Sequence, residues 1–265
     1  MSIFVPGLLK GQTAVITGGS SGINLGIAKR FAEHGANIAI IARNPERLEQ
    51  ACAEIGALNG GQVMACPADV RNFEDLDKQI TAAAERFGPV DLVVAGAAGN
   101  FTAPAATMSA NAFAAVISID LLGTFNCWRA AHRHLRTPGA RLIAISAPQG
   151  QYPMLMQSHA CAAKAGIEQL VRALAAEWGP QGVTVNAISP GFVADTKGGT
   201  IMGEELAKRS IAGLPVARWT TVDEMADLAL FMATPAASYM TGQILALDGG
   251  ISVLGGGYFT QLFKG

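Results

Sequence analysis

The stretch Thr17-Gly18-Gly19-Ser20-Ser21-Gly22-Ile23-Asn24-Leu25-Gly26 follows an apolar run and opens a helical pattern. Glycines at a strand-to-helix turn allow a tight bend and let backbone N–H groups approach a pyrophosphate at the helix N-terminus. An ordinary turn uses glycine too, so the strand–turn–helix context carries the reading. The next apolar run ends Ile41-Ala42-Arg43-Asn44. An acid there would grip the 2′-hydroxyl of an adenosine ribose, but the position holds Ala42 and Arg43 follows. A guanidinium suits a 2′-phosphate, so NADP(H) is the expected cofactor. The competing reading leaves Arg43 solvated at a strand end.

Such a turn needs a sheet behind it. Short β-branched runs at Thr13–Thr17, Asn37–Ala42, Gln62–Pro67, Val90–Ala95, Arg141–Ser146, Val183–Ile188 and Gln243–Asp248 are apolar nearly throughout, as strands covered on both faces are. Helical patterns such as Ile23–His34, Glu74–Phe87 and Ala110–Leu135 lie between them. The alternation predicts an α/β fold: one doubly wound Rossmann domain over 1–265, with a seven-stranded parallel sheet and helices on both faces. The irregular stretch 200–221 is expected to be a substrate lid.

Composition excludes other classes. Half of the 265 residues are apolar, 15% are charged and the net charge is −1, which gives no basis for nucleic-acid binding. Cys52, Cys66, Cys127 and Cys161 are scattered and read as reduced thiols. His132 and His134 are two apart and diverge on a helix, so no metal site is expected. The first residues lack a signal-peptide pattern, the closing QLFKG is no peroxisomal address, and no run looks long enough to span a bilayer. A cytoplasmic protein is expected.

The glycine cluster resembles the TGxxxGxG fingerprint of short-chain dehydrogenases/reductases, with Asn24 at the third glycine. The resemblance extends over about residues 8–252. It implies cofactor contacts from Thr17, Gly18, Ser20, Ser21, Gly22, Ile23 and Asn24, whose side chain is expected near the pyrophosphate, and from Arg43. It places Asp69 and Val70 beside the adenine and Ala97, Ala98 and Gly99 along the cofactor, where both usual asparagines are missing. Pro190, Gly191, Val193 and Thr196 fall in the turn beside the nicotinamide.

Such enzymes carry Asn, Ser and a Tyr-x-x-x-Lys pair, in which the lysine lowers the tyrosine pKa for proton exchange. Here Lys164 is present and Ser146 fits the serine, but Ala160 stands for the tyrosine and Asp120 for the asparagine. These departures resemble 2,4-dienoyl-CoA reductases, most closely the peroxisomal type. The shared features are Ala-Ala-Gly-Asn-Phe at 97–101, Asp120 before Gly-Thr-Phe-Asn, His159-Ala160 ahead of Lys164, Glu177-Trp178-Gly179-Pro180-Gln181, and Ser238-Tyr239. The resemblance implies hydride transfer from NADPH to a conjugated acyl-CoA thioester.

That chemistry tolerates a missing phenol. Reduction of a ketone leaves an alkoxide that demands a donor, whereas a conjugated thioester collects charge as an enolate and its carbon can be protonated by water. Lys164 is expected to bind the nicotinamide ribose and, with Asp120, to order that water. Ser146 is expected to hydrogen-bond the thioester oxygen. The alternatives are a surface Lys164, a merely structural Asp120, a Ser146 that only ends its strand, and Tyr152 as a substitute phenol; His159 reads as a packed histidine. A carbonyl or alcohol oxidoreductase and a catalytically silent NADP-binding sensor are the competing functions.

Lys197, Lys208, Arg209 and Arg218 are candidates to meet a CoA phosphate. Phe259, Leu262 and Phe263 are expected to cover a site or a subunit contact. A homotetramer is implied by the resemblance, with Ala110–Leu135 and His159–Trp178 as interface helices.

Overall fold

The computed structural model describes residues 3–58, 61–194, 196 and 204–263. Seven parallel strands form one sheet in the order β3-β2-β1-β4-β5-β6-β7. They are β1 (Thr13–Thr17), β2 (Asn37–Ala42), β3 (Val63–Pro67), β4 (Leu92–Ala95), β5 (Arg141–Ile145), β6 (Thr184–Pro190) and β7 (Ile244–Leu247). The fold expected from the alternation is the one observed. The strand order reverses direction between β1 and β4, and the crevice at their carboxyl ends is where such sheets bind ligands.

Side chains alternate across each strand, and in β1, β2, β4, β5 and β6 both sets are buried, whereas the edge strands β3 and β7 are mostly half-buried. Val15, Ala39, Ile41, Val93 and Leu142 enter one core with Leu76, Ile80, Trp128, Ile167 and Val171. Ala14, Ile16, Ile38, Ile40, Val94 and Ile143 enter the other with Ile27, Phe31, Leu48, Met225 and Leu230. This is why the strands read as continuous apolar runs. The helices on the first face are α3 (Phe73–Phe87), α5 (Gly123–His132) and α6 (Ser158–Trp178); those on the second include α1 (Gly22–Glu33) and α2 (Pro45–Gly56). All four cysteines are free, as expected, and burial pushes the Cys66 and Cys127 thiols up to about 12.

Two expectations need correction. The pattern Ala110–Leu135 is not one continuous α-helix. It comprises α4 (Ala110–Ile117), a π-helical turn at Ser118–Leu122, and α5. An extra residue per turn does not disturb an apolar periodicity enough to be seen in sequence, and such turns cluster at functional sites. In addition, Ala110–His132 is long and apolar enough by composition to cross a membrane, with mean hydropathy 1.3. The sequence reading missed this because Asp120 and Arg129 interrupt the run. In the fold the segment lies against the sheet, with Cys127, Trp128, Ala130 and Ala131 in the core.

The lid stretch contains α7 (Glu204–Ala212); residues 200–203 lie outside the described ones, as does Lys197. It leads into α8 (Val222–Ala233), followed by α9 (Ile251–Leu254) and α10 (Gly256–Phe263). Met154, Leu214, Ile251, Tyr258 and Leu262 form a third, smaller core. Leu262 therefore covers an internal contact of this chain.

A capping box starts α8: Thr221 Oγ1 accepts from the Glu224 N–H at 3.2 Å and Glu224 Oε2 accepts from the Thr221 N–H at 2.9 Å. Arg218 donates to both Glu224 oxygens, at 2.6 and 2.9 Å. The Arg218 hydrogen bonds, and next the Thr221 N–H, bring the Glu224 pKa down to about 2. The folded pKa lies below the ordinary 4.5, so the stabilisation is complete above 4.5 and is lost as pH falls towards 2. Glu224→Ala is expected to cost about 1 kcal/mol at neutral pH through the lost N3 partner of the Thr221 N–H, the exposed Arg218 pair adding little. Its melting temperature should also fall less than that of the unmodified chain on acidification. Parallel acid melting curves for the two proteins would refute this.

Candidate active site

The glycine turn sits where β1 meets α1, beside the end of β4. Gly18 has φ +71°, and a Cβ there would meet Ala97 Cα at 3.0 Å. Only glycine combines that backbone conformation with so close an approach. Thr17 Oγ1 accepts from the N–H groups of Gly96 (3.1 Å) and Ala97 (3.3 Å), tying the end of β1 to the loop after β4. Ser21 caps α1 without a side-chain hydrogen bond, and the first turn holds no acid. The N–H groups of that turn are therefore available to an anion.

A cleft of about 630 Å³ opens over this turn. Of the predicted cofactor residues, Gly18, Ser20, Ser21, Asn24, Arg43, Asp69, Val70, Ala97 and Ala98 line it. The remainder, Thr17, Gly22, Ile23, Gly99, Lys164, Pro190, Gly191, Val193 and Thr196, do not line this cleft. Thr17 acts from behind, as above. Val193 is buried in a bridge to Thr220, and Thr196 Oγ1 donates to Val193 O at 2.9 Å. Gly191 permits the backbone of Asp248 to pass, since a Cβ would lie 2.7 Å from its Cα.

Asn24, which lines the cleft, also reaches beneath the glycine turn. Its Nδ2 donates to Gly96 O at 2.8 Å, and the amide fills space beneath the turn. A Cβ on Gly96 would stand 2.1 Å from Asn24 Oδ1. The side chain lost at position 96 is thus replaced from position 24. Sequence reading did not link the two, because 72 residues separate them.

Ala42, Arg43, Asn44 and Arg47 line the cleft at the end of β2. Arg47, in the first turn of α2 and four residues beyond Arg43, was missed by sequence reading. The Asp69 carboxylate is held by Arg71 at 2.6 to 3.1 Å, which keeps its pKa below the ordinary carboxylate range.

The catalytic candidates converge deeper, at the ends of β4 and β5. Lys164 Nζ lies 3.1 Å from Asp120 Oδ2 and donates to Ile145 O at 3.0 Å. Both side chains are buried, at 11% and 2% exposure, so a surface lysine is ruled out. Asp120 Oδ1 accepts from the Gly99 N–H at 2.8 Å, so one carboxylate links the loop after β4 to α6. The π-helical turn carries this aspartate. An ammonium has three protons, and two are accounted for among the described residues.

Ser146 Oγ donates to Glu168 Oε1 at 2.9 Å. The thioester hydrogen bond expected of Ser146 conflicts with this orientation, because a hydroxyl has a single proton. Glu168 was overlooked, although a residue four beyond Lys164 shares its helix face. Ala160 is buried and offers no proton. His159 is fully buried, stacks on Phe101 with ring centroids 4.3 Å apart, and neither ring nitrogen has a partner among the described residues. Tyr152 donates to Ser252 O at 2.8 Å, within the third core's surroundings, which removes it as a substitute phenol. Arg218 is committed to Glu224, as above.

A sheet of this order, a glycine turn at its switch point and a buried lysine on the helix after β5 narrow the comparison. The profile of the family described as enoyl-(acyl carrier protein) reductase matches residues 18–252. The chain is a short-chain dehydrogenase/reductase. Its family membership makes it an oxidoreductase with a nicotinamide cofactor. The peroxisomal 2,4-dienoyl-CoA reductase of Saccharomyces cerevisiae is 37% identical over 262 residues, which is 97% of this chain and 90% of that protein. A 3-oxoacyl-(acyl-carrier-protein) reductase of Chlamydia muridarum is 34% identical over 246 residues, 92% of this chain and 99% of that one. A crystal structure of a short-chain dehydrogenase from Bacillus anthracis superposes with TM-score 0.82 at 37% identity, covering 91% of this chain and 97% of that one.

Proposed function

We propose that this short-chain dehydrogenase/reductase uses NADPH to reduce a conjugated enoyl- or dienoyl-CoA thioester. The observation that carries the reading is the buried Lys164–Asp120 pair beside Ala160, where the family's phenol would stand. A site with no phenol favours a reaction whose negative charge is delocalised over a thioester. The yeast relative's name describes that reaction.

The residues fit the cofactor. The bare helix start and the glycine turn suit a pyrophosphate, and Arg43 with Arg47 suits a 2′-phosphate. When bound, the nicotinamide supplies a hydride to the conjugated carbon. Lys164 uses its remaining N–H on the nicotinamide ribose. Asp120, whose Oδ2 can accept a second donor, holds the water that protonates carbon. Ser146 lines the substrate side. NADPH consumption on addition of 2,4-dienoyl-CoA tests the reading, and an unchanged nicotinamide absorbance would end it.

Arg43→Ala is expected to weaken NADPH binding by about ten- to a hundredfold, the worth of one or two charge-assisted hydrogen bonds, while leaving NADH unaffected. Nicotinamide fluorescence titrations measure both; equal losses for the two cofactors would show that Arg43 does not read the 2′-phosphate.

The assembly is a homotetramer in this reading. Phe113, Leu122 and Phe125 are exposed along 110–132, and Ala162 and Ala165 are exposed on α6, giving an apolar face with small residues for close helix packing. A cytoplasmic location completes the proposal. The second reading is reduction of a 3-oxoacyl thioester, favoured by the Chlamydia relative's name and disfavoured by Ala160.

A further inference from the structure

Glu168 lies one helical turn beyond Lys164 on α6, so both side chains leave the same face. It is 2% exposed, and so is Ser146, whose hydroxyl it accepts at 2.9 Å. The turn at Pro148–Gly150 closes over the carboxylate, because a Cβ on Gly150 would stand 2.3 Å from Glu168 Oε1. Arg172 remains 3.8 Å from the other oxygen. Ser146 is thus the only hydrogen-bond donor recorded at Glu168 among the described residues.

A hydroxyl whose one proton goes to a buried carboxylate offers a ligand only lone pairs. Reduction of an isolated ketone builds charge on one oxygen, which needs a donor within hydrogen-bond reach. Ala160 removes one such donor from this site, and Glu168 withdraws another. A conjugated thioester spreads its charge and depends less on either. We propose that Glu168 is a specificity-determining positioning residue: by capturing the Ser146 proton it excludes isolated ketones, 3-oxoacyl thioesters among them. The accepted substrate class rests on the function proposed above; the exclusion of ketones does not.

The test restores a phenol and then frees the serine. In Ala160→Tyr, hydride from NADPH would go to C3 of a 3-oxoacyl-CoA and the introduced phenol's proton to its oxygen, giving 3-hydroxyacyl-CoA and NADP. Adding Glu168→Leu should raise kcat for that substrate by at least about tenfold over Ala160→Tyr alone, with little change in KM or in NADPH affinity. Adding Ser146→Ala should erase the gain. If the leucine variant does not fold, Glu168→Gln serves, since its amide can donate to Ser146 and release the hydroxyl proton. No gain in any folded Glu168 variant, or a gain that survives Ser146→Ala, would overturn the proposal. The unmodified chain assayed with 2,4-dienoyl-CoA reads the proposed function separately: inactivity there removes that function and leaves the ketone comparison standing.

Discussion

Lys164→Ala should lower kcat/KM for dienoyl-CoA reduction by about a thousandfold or more, within the range that general acid–base catalysis and electrostatic stabilisation supply together. The ammonium is the only cation in contact with Asp120 among the described residues, at 3.1 Å, and it also donates to the backbone at Ile145. Its loss leaves a buried carboxylate supported by the Gly99 N–H alone. Breaking a buried pair by removing one partner costs about 3 to 5 kcal/mol, so the variant should also melt earlier. Two readouts separate the effects. Lys164→Ala with Asp120→Asn removes the stranded charge and should recover much of the stability without recovering turnover. Full activity in Lys164→Ala would remove the mechanism proposed for this site.

The second large effect concerns packing. Gly96→Ala should weaken cofactor binding by about tenfold or more and lower stability by about 1 to 3 kcal/mol, because its methyl group overlaps the Asn24 amide and would push it out of its bond to Gly96 O. The methyl would stand 2.1 Å from Asn24 Oδ1 and 2.5 Å from its Cγ, and the displaced amide would lose its bond to Gly96 O. The same amide lies 2.9 Å from where a Cβ of Gly18 would be, so the disturbance reaches the glycine turn. Asn24→Gly in the same chain should relieve the clash and restore most of the affinity. The two positions touch, so the double variant should show a coupling of about 0.5 to 3 kcal/mol. Additive losses in calorimetry and fluorescence titration would show that the Asn24 side chain can move away freely.

These two predictions differ in how far the sequence could have led to them. Lys164, Asp120 and Ser146 were identifiable from their positions along the chain, and the fold brings all three to the ends of β4 and β5. The partner of Ser146 was not anticipated. Glu168 sits on a helix that the sequence reading described correctly, but a helical acid is solvated far more often than buried. The decisive fact, a turn at Gly150 closing over it, comes from another part of the chain. Tyr152 shows the reverse case: only twelve residues before Lys164, it is directed away and donates to Ser252 O.

What the sequence determined by itself was the layered fold and the glycine turn at its switch point. Both rest on local rules: apolar runs covered on two faces must be central parallel strands, and glycines between a strand and a helix leave backbone N–H groups open to a phosphate. The tertiary structure alone decided which groups share a proton and which share a volume. Asn24 and Gly96 are 72 residues apart, and Ser146 and Glu168 are 22 apart. A hydrogen bond is fixed within tenths of an ångström and a steric exclusion within about one atomic radius, and neither leaves a periodic trace in the order of residues.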